Sequence, residues 1–274
     1  MPPPADRHGP MRLSGIHVYP LKSAAGIGLA DAVVEGRGLR HDRRWMAVDA
    51  GGKCVTGREL PRLTLVRATP AADGLVLEAP GMPRLHAAMP VDADTLAVDV
   101  WDSRLRAPLL DAEADAWLST FLGTPLRLVH MDAAATRAVT SPRAMPGDVV
   151  SFADAFPVLL LSQASLDGLN ARLASPVSMQ RFRPNLVVDG VPAHAEDGWA
   201  RIRIGEVEFE VAEPCVRCVF TTVDPLRGER DPGGEPLRTL VGYRRTPDGV
   251  AFGQLLLPRS AGTVRRGDRV EVFR

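Results

Sequence analysis

The first part of the chain, from residue 13 to about residue 129, consists of short alternating or apolar runs separated by turn residues. Strands and hairpins are predicted for "SGIHVYPL", "RRWMAVDAGGKCVTG", "GLVLEAPGM" and "LAVDVWDSRLRAPLL", with a glycine-rich turn at residues 49–53. The segment "DAEADAWLSTFLG" breaks this pattern and predicts a helix, because Asp111 suits the N-cap and Gly123 suits the C-terminal stop. This part of the chain is therefore expected to be β-rich.

The second part begins with a polar stretch at residues 132–148, which predicts a loop between the halves or a flap over a site. In "FPVLLLSQASLDGLNARLA" an apolar strand gives way to a helix with Ser162 at its N-cap, a junction whose free N–H groups suit an anion. Strand character returns in "NLVVDG", "ARIRIGEVEFEVAE" and "VRRGDRVEVF". The whole pattern predicts an α+β protein with β-barrel elements in two halves.

Composition narrows the class of protein. The 274 residues, 45% of them hydrophobic, are enough for one large packed domain or two moderate ones. Basic and acidic residues number 33 each, so no net positive field favours a nucleic acid polymer as partner. The stretch "MPPPADRHGPMR" lacks an apolar targeting region and no run of 18 apolar residues occurs, so a soluble cytoplasmic protein without membrane attachment is expected.

Two of the three cysteines form a C-x-x-C motif in "EPCVRCVFTTVDP", and several interpretations are open. Structural zinc needs four ligands, of which only Cys54 and scattered histidines could complete the set, and an iron–sulfur cluster needs more cysteines than the chain has. A redox dithiol usually stands at a helix N-terminus, whereas "VFTTV" predicts a strand. On a strand Cys215 and Cys218 would face opposite sides, so one could face a site while the other packs as a buried apolar residue.

Other sequence patterns give weaker indications of function than the C-x-x-C motif. "GIGLAD" has only two glycines of a dinucleotide fingerprint and no βαβ pattern around it. "HDRR" at residues 41–44 is predicted to be a solvated charged turn. The chain has no G-x-S-x-G or H-E-x-x-H motif, so a hydrolase interpretation lacks an anchor.

A set of anion-competent side chains recurs beside predicted turns. Arginine forks match phosphate oxygens in pairs, and hydroxyl and amide groups add neutral donors. Together with a thiolate, such a set suits a phosphorylated organic cofactor that carries a metal. The members are Lys22, Ser23, Arg43, Ser162, Arg183, Asn185 and Arg217.

Several of these residues lie in motifs that resemble a known family. "YPLKSAAGIGLADAVVEGRGLRHDRRWMAVDAGGKCVTGRELPRL" resembles the N-terminal β-barrel region of MOSC proteins. "LLLSQASLDGLNARL", "RFRPNLVVDG", "AEDGWARIRIGEVEFEVAEPCVRCVFTTVDP", "PLRTLVGYRR" and "FGQLLL…GTVRRGDRVEV" resemble the MOSC domain itself, in the same order. The resemblance implies an N-terminal β-barrel region at residues 11–130 and a β-barrel-like MOSC domain with a few helices at residues 131–274. The pattern is similar to amidoxime-reducing components and to bacterial reductases of N-hydroxylated bases.

The resemblance implies a molybdenum cofactor, a pyranopterin (Mo-molybdopterin) whose dithiolene holds the metal, with one protein thiolate as a further ligand. Matching motif to motif places this metal ligand and catalytic residue at Cys218. Reduction of an N–O bond by two electrons is the implied reaction. The residues implied to hold the pterin and its phosphate are Lys22, Ser23, Arg43, Arg183 and Asn185, with Arg217 beside the ligand and Asp154 and Ser162 in the matching "FADAFPVLLLS" segment.

Partners follow from the same resemblance. The cysteine count gives no room for a ferredoxin-like domain of the kind some bacterial relatives carry, so electrons are expected from a separate ferredoxin-type or flavin reductase protein. The expected substrates are small N-hydroxylated compounds, namely amidoximes, hydroxylamines and N-hydroxylated bases, in a soluble bacterial-type enzyme. An alternative is a non-catalytic carrier of the cofactor or of a sulfur species on Cys218. A structural domain with buried cysteines, the third possibility, predicts no molybdenum.

Overall fold

The computed structural model describes residues 10–273 and is rich in strands, as the alternating sequence pattern predicted. Strand character in the first part of the chain is distributed over many short segments. These are β1 (Arg12–Val18), β2 (Ile27–Leu29), β3 (Asp31–Glu35), β4 (Gly38–Leu39), β5 (Trp45–Val48), β6 (Arg67–Ala71), β7 (Gly74–Glu78), β8 (Leu85–Ala88), β9 (Thr95–Val100), β10 (Ser103–Pro108) and β11 (Arg127–His130).

The second part contains two long strands and several shorter ones. These are β12 (Val158–Ser162), β13 (Leu186–Asp189), β14 (Arg201–Ile204), β15 (Val207–Val216), β16 (Val223–Asp224), β17 (Glu229–Arg230), β18 (Arg245–Thr246), β19 (Gly249–Pro258), β20 (Gly262–Arg265) and β21 (Val270–Phe273). The α-helices are α1 (Ala112–Leu122), α2 (Gln163–Asn170) and α3 (Leu237–Val241), and 3₁₀ turns occur at Pro61–Leu65, Met179–Arg181, Ala195–Gly198 and Val219–Thr222. Within residues 10–273, no helix combines the length and apolar character needed to cross a membrane.

The largest sheet joins the beginning of the chain to its second part. Its strand order is β2-β1-β13-β12-β19-β15-β14-β21, with β18 attached to β19. Most neighbours are antiparallel, but β12 and β13 run parallel because α2 connects them. Strand β1 pairs with β13, and β3 pairs with β20. These pairings bring the turn after β1 beside the second part of the chain. The boundary between two domains near residue 130 stays a prediction from the sequence.

This sheet has an apolar core that follows the period-two alternation of its strands. Five inward-facing side chains, each at most 1% exposed, belong to the same core cluster: Ile16, Leu186, Ile202, Phe209 and Leu256. Burying an aliphatic or phenyl side chain of this size contributes about 1.5–3 kcal/mol. The strands are therefore held mainly by their inward faces, and the loops at their ends are available for a site.

A second core lies in the first part of the chain, where α1 packs against the small sheet β6-β7-β8. The predicted caps of α1 are confirmed. The carboxylate of Asp111 accepts a hydrogen bond from the Ala114 N–H at 2.7 Å, and Gly123 adopts a left-handed φ of 71°. Trp117 and Phe121 are buried on the inner face of this helix.

The junction between β12 and α2 differs from its predicted role as an external anion site. Ser162 caps α2 as expected, since its hydroxyl accepts a hydrogen bond from the Ser165 N–H at 3.1 Å. The acceptor at this junction belongs to the protein, because Oε1 of the fully buried Glu196 accepts hydrogen bonds from the Ser162 N–H and the Ser165 hydroxyl at 3.1 and 2.8 Å. The N–H groups of Ser162 and Ser165 at the helix start are thus used within the protein.

The segment after the C-x-x-C motif is also different from the expected strand. "VFTTV" forms a 3₁₀ turn at Val219–Thr222, and only Val223 belongs to a strand. The hydroxyls of Thr221 and Thr222 donate to the backbone oxygens of Cys218 and Val219 at 3.0 and 2.7 Å. These local bonds compete with a strand ladder, which explains why β-branched residues gave a wrong prediction here.

Candidate functional site

A cavity of about 350 Å³ lies where the two parts of the chain meet. Its N-terminal wall is formed by loop residues Lys22, Ser23, Arg43, Thr56, Arg58 and Trp101. Its C-terminal wall is formed by Arg181, Phe182, Arg183, Asn185, residues 213–218, Phe220 and Thr221. The segment at residues 153–156, which carries Asp154, completes the lining together with Leu159 and Leu255.

The cavity brings together eight of the nine residues predicted to bind the cofactor. Ser162 is the exception, because it is fully buried at the start of α2 and its hydroxyl is used within the helix cap. The residues that do line the cavity are Lys22, Ser23, Arg43, Asp154, Arg183, Asn185, Arg217 and Cys218.

Two cations of the N-terminal wall share one carboxylate. Lys22 Nζ lies 2.5 Å from Asp154 Oδ1 and donates to the Phe152 backbone oxygen at 2.7 Å, and Arg58 Nη2 lies 3.2 Å from Asp154 Oδ2. The partly enclosed position of Asp154 would by itself raise its pKa, but Lys22 and then Arg58 hold that pKa well below the ordinary value. Asp154 is therefore ionised at neutral pH and compensates both cations.

Arg43 is also compensated, by the buried Asp42. Asp42 is 1% exposed, lies 2.6 Å from Arg43 Nη1, and accepts from the Tyr19 N–H at 2.8 Å. The prediction that "HDRR" is a solvated charged turn was therefore wrong for this aspartate. Arg43 Nη1 also donates to Asn185 Oδ1 at 3.1 Å, and the Asn185 amide donates to the His17 backbone oxygen at 3.1 Å, so β1 and β13 orient both side chains.

Arg183 and Arg217 on the C-terminal wall have a different environment. Arg183 Nη1 donates to the Ala24 backbone oxygen at 2.5 Å, whereas Arg217 donates to Phe252 and Phe182 backbone oxygens at 2.7 and 2.9 Å. The Nη2 atom of each arginine is buried and has no hydrogen-bond partner. Burial and the nearby Arg43 lower the pKa of Arg183 to about 10, still far above neutral pH. Two charged groups thus retain unused donors beside the cavity.

The packing around these two arginines is close. The guanidinium carbon of Arg183 lies 4.2 Å from the centre of the Tyr19 ring, and burial raises the pKa of Tyr19 to about 12 in spite of that cation. Gly253 adopts a φ of 85°, and a Cβ there would lie 2.7 Å from the Leu160 backbone oxygen and 3.3 Å from Arg217 Nη2. The glycine thus leaves room for the Arg217 guanidinium.

Both cysteines of the C-x-x-C motif line the cavity, contrary to the expectation that they face opposite sides. Strand β15 ends at Val216, so the alternation of a strand does not extend to Cys218, which begins the 3₁₀ turn. Burial raises the pKa of the Cys215 thiol. Cys218 Sγ accepts a hydrogen bond from Arg58 Nε at 3.3 Å, which gives this sulfur a charged partner.

Backbone strain is concentrated in the cavity lining. Within the part of the chain that the structure describes, seven residues other than glycine have a positive φ, and four of these line the cavity. Left-handed conformations are costly for such residues and cluster at functional sites when the surrounding structure holds them. The four are Ser23 (65°), Arg43 (48°), Trp101 (55°) and Arg183 (56°).

Sequence comparison identifies the family. The MOSC N-terminal beta barrel domain matches residues 10–125, and the MOSC domain matches residues 147–271. The chain is 36% identical to mitochondrial amidoxime-reducing component 1 of Mus musculus over 92% of this chain and 79% of that protein. The chain belongs to the MOSC family. This MOSC protein is also 35% identical to component 1 of Homo sapiens, over 92% of this chain and 80% of that protein. It is 33% identical to component 1 of Xenopus laevis, over 94% of this chain and 81% of that protein.

A solved structure gives a weaker likeness. The YUAD protein from Bacillus subtilis aligns with 97% of this MOSC chain and 97% of its own chain, at 10% identity and a TM-score of 0.46. A TM-score at this level supports no functional comparison. The family assignment therefore depends on the sequence relatives and the domain matches.

The cofactor of this MOSC family is the molybdenum cofactor, and the cavity can be tested for its fit. Six lining side chains are basic and two, Asp154 and Glu213, are acidic, so the lining favours an anionic ligand. The unpartnered Nη2 atoms of Arg183 and Arg217 are donors of the kind that phosphate accepts. Cys218 places a sulfur donor at the cavity, and thiolates are ligands of redox-active transition metals. The residues present therefore fit this cofactor.

The same residues do not favour a zinc knuckle. Among residues 10–273, no group of three or more histidine, cysteine, aspartate or glutamate side chains could together hold a metal ion. Cys54, the one remaining cysteine, is buried in an apolar cluster of the first part of the chain and does not line the cavity. Cys215 and Cys218, the two cysteines that line the cavity, are too few ligands for a zinc knuckle.

Arg58 and Trp101 are among the cavity residues that the sequence reasoning missed. Arg58 stands within the quoted stretch "GGKCVTGRELPRL", but its approach to Cys218 spans 160 residues of sequence. Trp101 lies at the turn between β9 and β10, where the hairpin was predicted but the role of its turn residue was not. No local pattern signals either contact, since both depend on how the first part packs on the second.

Proposed function

We propose that the protein is a molybdenum-cofactor-dependent reductase of small N-hydroxylated compounds, receiving its electrons from a separate redox protein. The observation that carries the proposal is the Cys218 thiol in a cavity with mainly basic charged residues, where Arg183 and Arg217 each have one buried nitrogen without a hydrogen-bond partner. Relatives named amidoxime-reducing components, at 33–37% identity over most of the chain, support the reaction class. Amidoximes, hydroxylamines and N-hydroxylated bases are the substrates that fit it.

The reaction consumes two electrons and two protons. An R–NH–OH compound becomes R–NH₂ and water: the N–O bond breaks, one proton goes to the nitrogen and the other to the leaving hydroxyl oxygen. The cofactor, when bound, would supply a redox-active metal for this two-electron chemistry. Arg183, Arg217, Lys22 and Ser23 are suited to bind its anionic and polar groups, and Cys218 to bind its metal.

The cellular location and the electron-donor protein are also part of the proposal. The named relatives are mitochondrial proteins of animals, so they give no support to the expected bacterial and cytoplasmic setting, which stays a proposal. A separate donor of electrons, of the ferredoxin or flavin reductase type, is likewise proposed. A small soluble donor would need access to the exposed side of the cavity, where Trp101 and Val216 are 42% and 47% exposed.

The test compares Cys218→Ala with Cys54→Ala in protein purified from a host that makes the cofactor. Molybdenum content and turnover of a small amidoxime with a chemical reductant are measured on both variants and on the unchanged protein. Because loss of a metal ligand disturbs the centre directly, Cys218→Ala should lose activity by at least about 100-fold, at the upper end of what even supporting groups cause. Cys54→Ala makes the same chemical change outside the cavity and should keep both properties.

Each alternative function predicts a different result of this experiment. Full activity in a folded Cys218→Ala protein would exclude the assigned ligand. Molybdenum near one per chain without any turnover would instead favour a carrier of the cofactor or of sulfur. Reproducible absence of molybdenum from a competent host would favour a structural domain that does not use the cofactor.

A further inference from the structure

Arg58 contacts both Cys218 and Asp154 in the cavity. Its Nε donates to Cys218 Sγ at 3.3 Å, and its Nη2 donates to Asp154 Oδ2 at 3.2 Å. These contacts use two different nitrogens of one planar guanidinium, so both together fix its position. A lysine ammonium is a point charge and could not reproduce this two-sided geometry.

The backbone that carries Arg58 is held by a local turn. Glu59 Oε2 accepts from both the N–H and the hydroxyl of Thr56, at 2.8 Å each, and the Thr56 hydroxyl accepts from the Arg58 N–H at 3.2 Å. Arg230 donates to the Arg58 backbone oxygen. The side chain therefore starts from a fixed point, which limits the conformational entropy lost when it contacts sulfur.

The same turn packs against the cysteine segment. A Cβ on Gly57 would lie 2.2 Å from the Phe220 ring, so only glycine permits this close approach. Phe220 lies two residues after Cys218 in the 3₁₀ turn. The distance between Arg58 and the sulfur is thus set by direct contact of two chain segments and not by a flexible side chain alone.

Trp101 supports the guanidinium from another direction. The Arg58 guanidinium carbon lies 4.5 Å from the centre of the Trp101 ring, and Lys22 Nζ lies 5.3 Å from the same ring. Trp101 keeps a positive φ of 55°, a strained conformation that the surrounding structure maintains. Cation–π contact with tryptophan stabilises a charged group that is half-buried.

We propose that Arg58 is a positioning residue that orients the Cys218 sulfur and keeps a positive charge beside it, with Trp101 as its support. The consequence for catalysis rests on the proposed function, whereas the charge beside the sulfur does not. A sulfur fixed in this way presents one direction to an incoming metal, and the adjacent charge offsets part of the negative charge of a thiolate ligand.

The first experiment uses cofactor-free protein and two alkylating reagents of similar size, anionic iodoacetate and neutral iodoacetamide. The ratio of their rates at Cys218 reports the local charge, because exposure and ionisation of the thiol affect both reagents equally. Trypsin cleaves after Arg217, so mass spectrometry can follow Cys218 and Cys215 on separate peptides. Arg58→Gln should lower the iodoacetate to iodoacetamide ratio at Cys218 by about threefold, as expected for losing one screened charge nearby.

Two variants control this measurement. Arg62→Gln removes an equivalent arginine, stacked at 4.6 Å over the Phe121 ring and outside the cavity lining, and should leave the ratio unchanged. Arg58→Lys keeps the charge and should keep most of the ratio. An unchanged ratio in a folded Arg58→Gln protein, or an equal fall in Arg62→Gln, would overturn the proposed charge.

The second experiment tests orientation in molybdenum-loaded protein. Arg58→Lys should lower kcat at least about tenfold with little change in KM, because the charge remains while the two-sided contact is lost. Unchanged kcat in Arg58→Lys would overturn the positioning role. If the unchanged protein held no molybdenum, the proposed function would fail, and the alkylation ratio would still decide the charge beside Cys218.

Discussion

The two walls of the cavity differ in how many of their cations are paired with a carboxylate. On the N-terminal wall, Lys22 and Arg58 share Asp154, and Arg43 is paired with Asp42. On the C-terminal wall, Arg183 and Arg217 donate to backbone oxygens and each retains a buried Nη2 without a partner. Every cation of the N-terminal wall thus has a carboxylate partner, whereas on the C-terminal wall only Arg181 does.

This difference suits the two walls to different functions. A compensated cation holds a fixed position at modest cost, since its carboxylate replaces lost hydration. A buried cation with unused donors lowers stability unless a ligand supplies the missing acceptors. The C-terminal wall is therefore suited to bind the anionic part of a cofactor, and the N-terminal wall to orient groups near Cys218.

The largest expected effect comes from removing one uncompensated cation. Arg217→Gln in cofactor-free protein should weaken the binding of inorganic pyrophosphate at least about tenfold, the effect of losing a charged hydrogen bond to phosphate. Isothermal titration calorimetry measures this affinity directly.

Arg181→Gln is the matched control on the same wall. Arg181 also lines the cavity, but it lies 3.3 Å from Asp224 and donates to the Thr222 backbone oxygen at 2.7 Å. Its replacement should change pyrophosphate affinity by less than about threefold, because the charge is already compensated. Equal losses in the two variants would show that total charge, and not the unpartnered donors, controls binding.

The fold was predictable where local rules decide it. Alternating apolar residues gave the strands of both parts, and Asp111 and Gly123 gave the limits of α1 because capping uses only neighbouring residues. The turn after Cys218 could not be obtained in this way. β-Branched residues favour a strand, but the hydroxyls of Thr221 and Thr222 close a local turn instead.

The site was predictable from the family motifs, except where long-range packing decides the contacts. Arg183, Asn185 and Cys218 lie in recognisable motifs and do line one cavity. Arg58 is 160 residues away from Cys218 in sequence, so only the packed structure shows that they meet. Asp42 resembles an ordinary surface charge in sequence, and only the tertiary fold buries it beside Arg43.

A smaller effect of opposite sign is expected when the N-terminal wall loses its compensation. Asp154→Asn leaves Lys22 and Arg58 without their shared carboxylate, so pyrophosphate affinity should rise by about threefold. Asp102→Asn removes the same charge from the residue that follows Trp101 in sequence and does not line the cavity, and it should have less effect. Weaker binding in Asp154→Asn would contradict the assignment of Asp154 as a compensating group.

The pH dependence of stability gives an independent check on Asp154. Its partly enclosed position would raise its pKa, but Lys22 and Arg58 hold the pKa well below the ordinary value of 3.8. A carboxyl with a depressed folded-state pKa stabilises the fold above its unfolded pKa, and this stability is lost as pH falls through the folded pKa. The Tm difference between the unchanged protein and Asp154→Asn should therefore be constant near neutral pH and shrink only below about pH 3.8.

The smallest effect tests a polar group that lies in the second part of the chain but outside both walls. Ser162→Ala removes the hydroxyl that caps α2, which should cost about 1 kcal/mol of unfolding free energy while pyrophosphate affinity stays unchanged. Thr120→Ala removes an exposed hydroxyl of α1 that donates to the Ala116 backbone oxygen, and should change stability by less than about 0.5 kcal/mol. Urea unfolding and calorimetry separate the two properties. Loss of anion binding in Ser162→Ala would mean that the helix start, and not only the C-terminal wall, contributes to the anion site.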